Sequence, residues 1–121
     1  MKPQPFYKLV RDKIPKILKL KGFKPITSVL YNESKFRWAL INKLNEEVLE
    51  LQNAIKNDFT NKASIMEEIA DVQEVLETIA LLHGIELKEL AEFKATKKEK
   101  KGGFERRFYL EEVREGNDEN N

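Results

Sequence analysis

Two pairs of carboxylates stand three residues apart in the sequence, Glu47 with Glu50 and Glu68 with Asp71. Each pair lies in a segment whose apolar residues recur at helical spacing, so the two members project from one side of a helix. Glu47 follows Leu44 by three residues, on the shoulder of an apolar stripe where a leucine would be expected. Carboxylates in such positions indicate a site that needs negative charge.

The four carboxylates would repel one another and lose hydration if two helices brought them to one seam. A divalent cation would offset this cost. The chain has no cysteine, and we expect its single histidine, His83, to end a helix without a catalytic part, so the ligands would be hard oxygen atoms. We therefore expect Mg²⁺, with Mn²⁺ as an alternative. The competing interpretation is that these residues are solvated or paired with nearby lysines.

Two long helices must position the carboxylates, from about Glu33 to Lys56 and from about Ser64 to His83. The turn between them, NDFTNKA, is short and predicts that they pack antiparallel with their apolar faces together. Ser64 and Glu67 have the spacing of a capping box at the start of the second helix. Gly84 is expected to end that helix in the left-handed conformation.

Shorter elements flank this pair of helices. A short helix is predicted from Arg11 to Leu20 and a third helix from Leu87 to about Lys100, while PITSVLY (25–31) and FERRFYLEEV (104–113) have strand composition. The predicted fold class is mainly α. It is an antiparallel helical bundle of two long helices plus a shorter third, with short N- and C-terminal strand segments, completed by oligomerisation.

The composition limits the classes of partner. With 121 residues, the chain is expected to form a single domain over residues 1–115, followed by a polar tail at 116–121. Its formal net charge of +1 gives no overall field that would favour nucleic-acid binding. No uncharged run approaches the length of a membrane span. The cytoplasm is the expected location, with no nucleic acid and no membrane as partners.

The acidic segments resemble the all-α nucleoside triphosphate pyrophosphohydrolases, the MazG-like superfamily that includes phosphoribosyl-ATP pyrophosphohydrolase. The superfamily pattern EExxE followed by ExxD is matched by EEVLE (46–50) and EIAD (68–71). YKLVRDKIP (7–15) and KGGFERRFYL (101–110) are similar to the end segments of a MazG-like branch regarded as house-cleaning enzymes. That branch more often has arginine where Lys101 stands, which exchanges one cation for another.

The resemblance implies a hydrolase that converts a nucleoside triphosphate to the monophosphate and pyrophosphate. Its substrates could include non-standard or excess nucleotides. It also implies that Glu47, Glu50, Glu68 and Asp71 bind Mg²⁺, and that the chain forms a homo-oligomer, a dimer or a tetramer. One of these carboxylates, such as Glu47, or the neighbouring Glu46 would accept the proton of the attacking water. Which of them does so stays open, as does the number of metal ions.

Substrate contacts are predicted from residue type. A basic stretch surrounds Gly102 and Gly103, and Lys94, Lys98 and Arg106 are the candidates to face a triphosphate. Phe36 lies on the same helical shoulder as Glu47 and could stack on a base, although a core position is the alternative. Trp38, on another flank with Leu49, suits a subunit interface.

Two other functions are considered beside the nucleoside triphosphate pyrophosphohydrolase. The first is phosphoribosyl-ATP hydrolysis in histidine synthesis. The terminal segments resemble those of the house-cleaning branch and therefore favour that branch over this reaction. The second is a non-catalytic helical module that binds a partner through its exposed helix faces. A module of this kind needs a sustained heptad seam, and the apolar pattern breaks at the glycines and prolines.

Overall fold

The computed structural model describes residues 7–116 and is mainly helical, as expected. Four helices follow one another along the chain: α1 (Ile14–Leu20), α2 (Glu33–Asn57), α3 (Lys62–Leu82) and α4 (Leu87–Lys101). The boundaries of α2, α3 and α4 lie within two residues of the predicted ones. α1 begins three residues later than predicted because Pro15 occupies its first turn, where the missing N–H of proline costs no helical hydrogen bond.

α2 and α3 form the hairpin that brings the acidic segments together. The turn between them is stabilised by Asp58, whose side chain accepts hydrogen bonds from the backbone N–H and the hydroxyl of Thr60 at 2.9 and 2.6 Å. α3 then begins at Asn61, whose side chain accepts from the backbone N–H of Ser64 at 3.1 Å. The predicted capping box at Ser64 is therefore wrong, because Asn61 supplies the cap three residues earlier.

α3 ends at Gly84 in the predicted way. Gly84 has a φ of +72°, and its N–H donates to the carbonyl of Leu81 at 3.1 Å. The N–H of Ile85 donates to the carbonyl of Ala80 at 2.9 Å. This pair of bonds is the Schellman arrangement, which satisfies two of the last carbonyls of the helix.

The core between α2 and α3 is small. Among the residues that the structure describes, the buried apolar side chains are Leu40 on α2 and Val75 and Ala80 on α3. Large apolar side chains on the same helices are exposed to water, including Leu49 at 55% and Leu81 at 58%. Several large apolar side chains of the hairpin are therefore not covered by the residues that the structure describes.

The two predicted strands are corrected by the structure, since residues 7–116 contain no β-strand. Residues 25–31 have no regular secondary structure, and nearly all of them are exposed. In the second segment the N–H of Arg107 donates to the carbonyl of Phe104 at 3.1 Å, and Arg107 has a φ of +60°. That turn is incompatible with a continuous strand through 104–113. Strand composition alone cannot supply the neighbouring strand that a ladder needs.

The chain divides into two compact units, one up to Leu87 and the other from Lys88 onward. The first contains α1 and the α2–α3 hairpin. The second contains nearly all of α4 and the segment that follows it. The single domain expected over 1–115 stays a prediction, and the expected polar tail lies outside the described residues apart from Gly116. No helix within residues 7–116 combines the length and apolar character needed to cross a membrane.

Candidate metal centre

The hairpin brings together the four carboxylates that were singled out by their spacing. One carboxylate oxygen from each of Glu47, Glu50, Glu68 and Asp71 lies within 4.8 Å of the others. α2 supplies the first pair and α3 supplies the second. The three-residue spacing places each pair on one side of its helix, and the short turn sets the two pairs at the same level. An arrangement of this kind could hold a divalent cation.

Burial makes this cluster costly for the protein without compensation. Glu47 is only 6% exposed, and it is the buried charged residue within residues 7–116. Oε2 of Glu47 and Oε2 of Glu68 are both buried and have no hydrogen-bond partner among the described residues. A buried acceptor without a partner costs about 1–3 kcal/mol, and more when it is charged. Oxygen atoms in this condition are suited to bind a cation.

The pKa values of two carboxyl groups reflect the crowding. The pKa of Glu68 is raised by burial, and then by the charges of Asp71 and Glu47. The pKa of Glu50 is raised by loss of hydration next to the other carboxyl groups and by the charge of Glu47, although much of its side chain is exposed. In both cases the surroundings disfavour the ionised form. Added positive charge would reverse this effect.

Lys43 lies one turn before Glu47 on α2 and is a cationic side chain next to the carboxylate cluster. Its Nζ is 3.1 Å from Oε1 of Glu47 and 3.4 Å from Oε2 of Glu46. Burial acts to lower the pKa of Lys43, but the hydrogen bond to Glu47 and the charges of both glutamates outweigh it, so the pKa is raised. Lys43 therefore stays protonated and neutralises part of the cluster. Lys43 was not predicted, although its spacing of four residues from Glu47 is that of a helical ion pair.

The N-terminal segment adds two more cations. Nζ of Lys8 lies 2.9 Å from Glu46, and the hydrogen bond from Lys8 is the main cause of the lowered pKa of Glu46. The guanidinium of Arg11 lies 2.8 Å from Oδ1 of Asp71. These contacts join residues 38 and 60 positions apart. Helical spacing cannot reveal them, and the YKLVRDKIP segment was the only signal in the sequence.

The other predicted site residues are placed as follows. Phe36 is half-buried one turn before Leu40. In the second unit, Lys98 pairs with Glu105 at 3.3 Å, and Arg106 lies over the ring of Phe108, 4.8 Å from its centroid. Lys94 is exposed on α4. The substrate-binding roles of Lys94, Lys98, Arg106 and Phe36 therefore stay predictions.

Nδ1 of His83 lies 2.9 Å from the carbonyl of Ile79, in keeping with a structural position at the helix end.

The donor set fits a hard divalent cation. The four ligand candidates offer only carboxylate oxygen atoms, which suit Mg²⁺, Mn²⁺ or Ca²⁺ better than a metal that prefers nitrogen or sulfur. Two of the residues have a buried oxygen that accepts no hydrogen bond from the described part of the chain. The site is thus suited to a divalent cation by charge, by donor type and by unmet hydrogen-bonding capacity.

Comparison with known proteins agrees with this geometry. The sequence model of the family described as phosphoribosyl-ATP pyrophosphohydrolase matches residues 9–100, which include α1, α2, α3 and all four carboxylates. The comparisons with curated proteins and with solved structures find no significant match. The match covers most of the chain, and it includes both acidic helices. The chain belongs to the phosphoribosyl-ATP pyrophosphohydrolase family, within the MazG-like all-α superfamily.

Proposed function

We propose that the protein hydrolyses a nucleoside triphosphate to the monophosphate and pyrophosphate in a reaction that depends on Mg²⁺. The observation that carries this proposal is the cluster of four carboxylate oxygens within 4.8 Å. Two of its residues, Glu47 and Glu68, keep a buried oxygen that has no hydrogen-bond partner within residues 7–116. Membership of a pyrophosphohydrolase family supports the same class of reaction. Mn²⁺ is the alternative ion, because it accepts the same oxygen ligands.

Glu47, Glu50, Glu68 and Asp71 are the residues that would hold the ion. When bound, Mg²⁺ supplies charge neutralisation for the polyphosphate and lowers the pKa of water. The protein contributes the rigid placement of these oxygens, because α2 and α3 fix both pairs on facing sides of one hairpin. Binding energy is then not spent on ordering the ligands when the nucleotide arrives.

Glu46 and Glu47 are the proposed acceptors for the proton of the attacking water. Glu46 lies outside the group of four, and its hydrogen bond with Lys8 lowers its pKa. It is therefore ionised at neutral pH, as a general base must be. Glu47 is oriented by Lys43 through one oxygen and has a second oxygen available. Both roles are separable by measuring turnover in single Gln variants.

The substrate is the part of this proposal that the family leaves open. Phosphoribosyl-ATP is the alternative substrate, since it gives the family its description. The end segments YKLVRDKIP and KGGFERRFYL favour the house-cleaning branch, and we propose nucleoside triphosphates, including non-standard or excess ones, for that reason. Both kinds of substrate contain a phosphoanhydride bond, which would lie next to the ion held by the carboxylates.

A panel of standard and damaged nucleoside triphosphates, together with phosphoribosyl-ATP, tests the proposal. We expect pyrophosphate release from at least one nucleoside triphosphate, complete dependence on Mg²⁺, and loss of activity in excess chelator. Orthophosphate as the first product would identify a phosphatase instead. Activity on phosphoribosyl-ATP alone would assign the biosynthetic reaction. Inactivity across the panel, with no Mg²⁺ binding by calorimetry, would leave the non-catalytic helical module.

We also propose that the chain functions as a homo-oligomer. The buried apolar residues of the hairpin are few, while Leu49 and Leu81 are more than half exposed. Apolar surface of this extent is usually covered in a partner interface. Light scattering at micromolar concentration should give at least twice the mass of one chain. The double variant Leu49→Ser/Leu81→Ser should shift the mass towards the monomer, whereas the matched exposed-site variant Glu74→Ser should not. A monomeric wild type would refute the proposal.

A further inference from the structure

A groove of about 280 Å³ lies on the surface of α2, between that helix and the N-terminal segment. Its walls include two aromatic rings, three lysines and one amide: Tyr7, Trp38, Lys8, Lys35, Lys43 and Asn42. Binding pockets for small molecules typically measure about 300–1,000 Å³, so this groove matches one end of a nucleotide better than a whole one. Aromatic, amide and cationic groups together are the chemistry that recognises a nucleotide base next to its phosphates.

Trp38 is the largest of these side chains, and 65% of it is exposed. On α2 it shares a face with Lys35 and Asn42, which are three residues before it and four after it. An aromatic ring on such a face offers a flat surface on which a base can stack. Phe36, the stacking candidate suggested by sequence, is half-buried instead. Trp38 is therefore better placed for this role than Phe36.

The groove and the candidate metal centre share a neighbour in Lys43. Glu46 and Lys43 line the groove, and Lys43 also contacts Glu47 at 3.1 Å. Trp38 precedes Glu46 by eight residues, which is about 12 Å along the axis of an α-helix. A ligand that begins at Trp38 thus leads along α2 towards the carboxylates. This is the direction that a nucleotide would take with its phosphates at the metal centre.

The charge of the groove distinguishes between two occupants. Lys8 and Lys43 are paired with Glu46 and Glu47. Lys35 adds a further positive charge to the lining, which favours an anionic ligand. A second copy of the chain, as expected from Trp38 and Leu49 in the sequence, would instead favour an interface core, where lysine is depleted. Asn42 makes no side-chain hydrogen bond to the residues that the structure describes, and its amide can both donate and accept. A base edge presents groups of both kinds.

We propose that this groove binds the base and sugar of the nucleotide, with the base stacked on Trp38 and its edge hydrogen-bonded to Asn42. The inference rests on the proposed function, because it assigns the groove to the substrate of the same reaction. It makes Trp38 and Asn42 the residues that select the base. Lys35 adds positive charge that attracts the anionic part of the ligand.

Trp38 is the one tryptophan of the chain, so intrinsic tryptophan fluorescence reports on this groove directly. The probes are α,β-methylene analogues of the common nucleoside triphosphates, which resist hydrolysis at the proposed bond, with Mg²⁺ present. At least one analogue should change the Trp38 emission in a saturable manner. Tripolyphosphate, which has no base, should bind without that change.

Matched variants give a second readout by calorimetry. Trp38→Ala should weaken binding of the responding analogue roughly 5- to 150-fold, as expected for loss of one stacking contact, and leave tripolyphosphate affinity unchanged. Trp38→Phe keeps a ring and should retain most of the affinity, and Phe59→Leu, at an exposed ring in the turn after α2, should not change it. Asn42→Leu should reduce the difference in affinity between bases. Circular dichroism establishes that each variant is folded.

The outcomes separate this inference from the proposed function. Pyrophosphate release with no emission change and no effect of Trp38→Ala would overturn the groove assignment and leave the function standing. Absence of both hydrolysis and analogue binding would overturn both. Emission that depends on protein concentration without nucleotide, together with a lower mass for Trp38→Ala, would make the groove a subunit interface and overturn the inference.

Discussion

Glu47 is a charged residue at a core position of α2, and its surroundings explain how the fold accommodates it. Lys43 balances one of its oxygens at 3.1 Å, while the other is buried and has no hydrogen-bond partner in the region that the structure describes. The helical spacing of Glu47, Glu50, Glu68 and Asp71 could be predicted from sequence because each pair is local. The contacts from Lys8 and Arg11 could not, because they depend on where a distant segment folds back.

Glu68 offers the clearest test of charge crowding at the residue scale. Its pKa is raised by burial and by neighbouring carboxylates, so the ionised form costs folding free energy above that pKa, and the cost disappears as pH falls. Glu68→Gln removes the charge and adds an N–H donor among acceptors. In chelator at neutral pH we expect a melting temperature that is unchanged or higher by up to about 4 °C. Glu74→Gln, an exposed position on α3, is the control, and a clear loss of stability for Glu68→Gln would contradict the account.

Arg11 makes a separate prediction, because its ion pair with Asp71 competes with any cation at that carboxylate. The pair is partly exposed and is worth about 0–1 kcal/mol, so Arg11→Gln should change stability little. Removal of its positive charge should strengthen Mg²⁺ binding in the absence of nucleotide by roughly threefold or more. Calorimetry measures this, with Lys16→Gln on α1 as the charge-matched control. Weaker Mg²⁺ binding in Arg11→Gln would mean that Arg11 organises the site instead.

At the scale of elements, the helices follow from local signals in the sequence. Gly84 indicates where α3 ends, and the structure agrees. The start of α3 was misplaced because two candidate caps, Asn61 and Ser64, stand three residues apart, and their spacing does not decide between them. The predicted strands failed for a different reason, since a strand depends on a partner elsewhere in the chain and helix caps do not.

The corrected start of α3 can be tested directly. Asn61→Ala removes the side chain that accepts from the N–H of Ser64, and it should lower the free energy of unfolding by about 1 kcal/mol. Ser64→Ala should change it by less than about 0.5 kcal/mol, because Ser64 contributes its backbone N–H to this bond. Urea denaturation of both variants at one protein concentration decides the matter. The reverse order of effects would restore the capping box at Ser64.

At the scale of the whole molecule, the small core and the acidic cluster have related consequences. Leu40, Val75 and Ala80 are the apolar residues that the described chain buries well, and beside them lies a charged side chain. Such a hairpin gains little folding free energy from the burial of apolar side chains alone. Ligand binding and self-association should therefore raise its stability markedly. Composition could predict the thin core. It could not predict the groove at Trp38, which depends on the N-terminal segment lying beside α2.

The central claim is that the four carboxylates bind Mg²⁺ for hydrolysis, and calorimetric Mg²⁺ titration of matched variants tests it most directly. The wild-type protein should bind Mg²⁺. Glu68→Gln and Asp71→Asn should weaken that binding at least tenfold and lower pyrophosphate release at least about a hundredfold, while Glu74→Gln should change neither. Both site variants keep the size of the side chain, so a change reports on charge. Wild-type affinity for Mg²⁺ and wild-type turnover in either site variant would contradict the account.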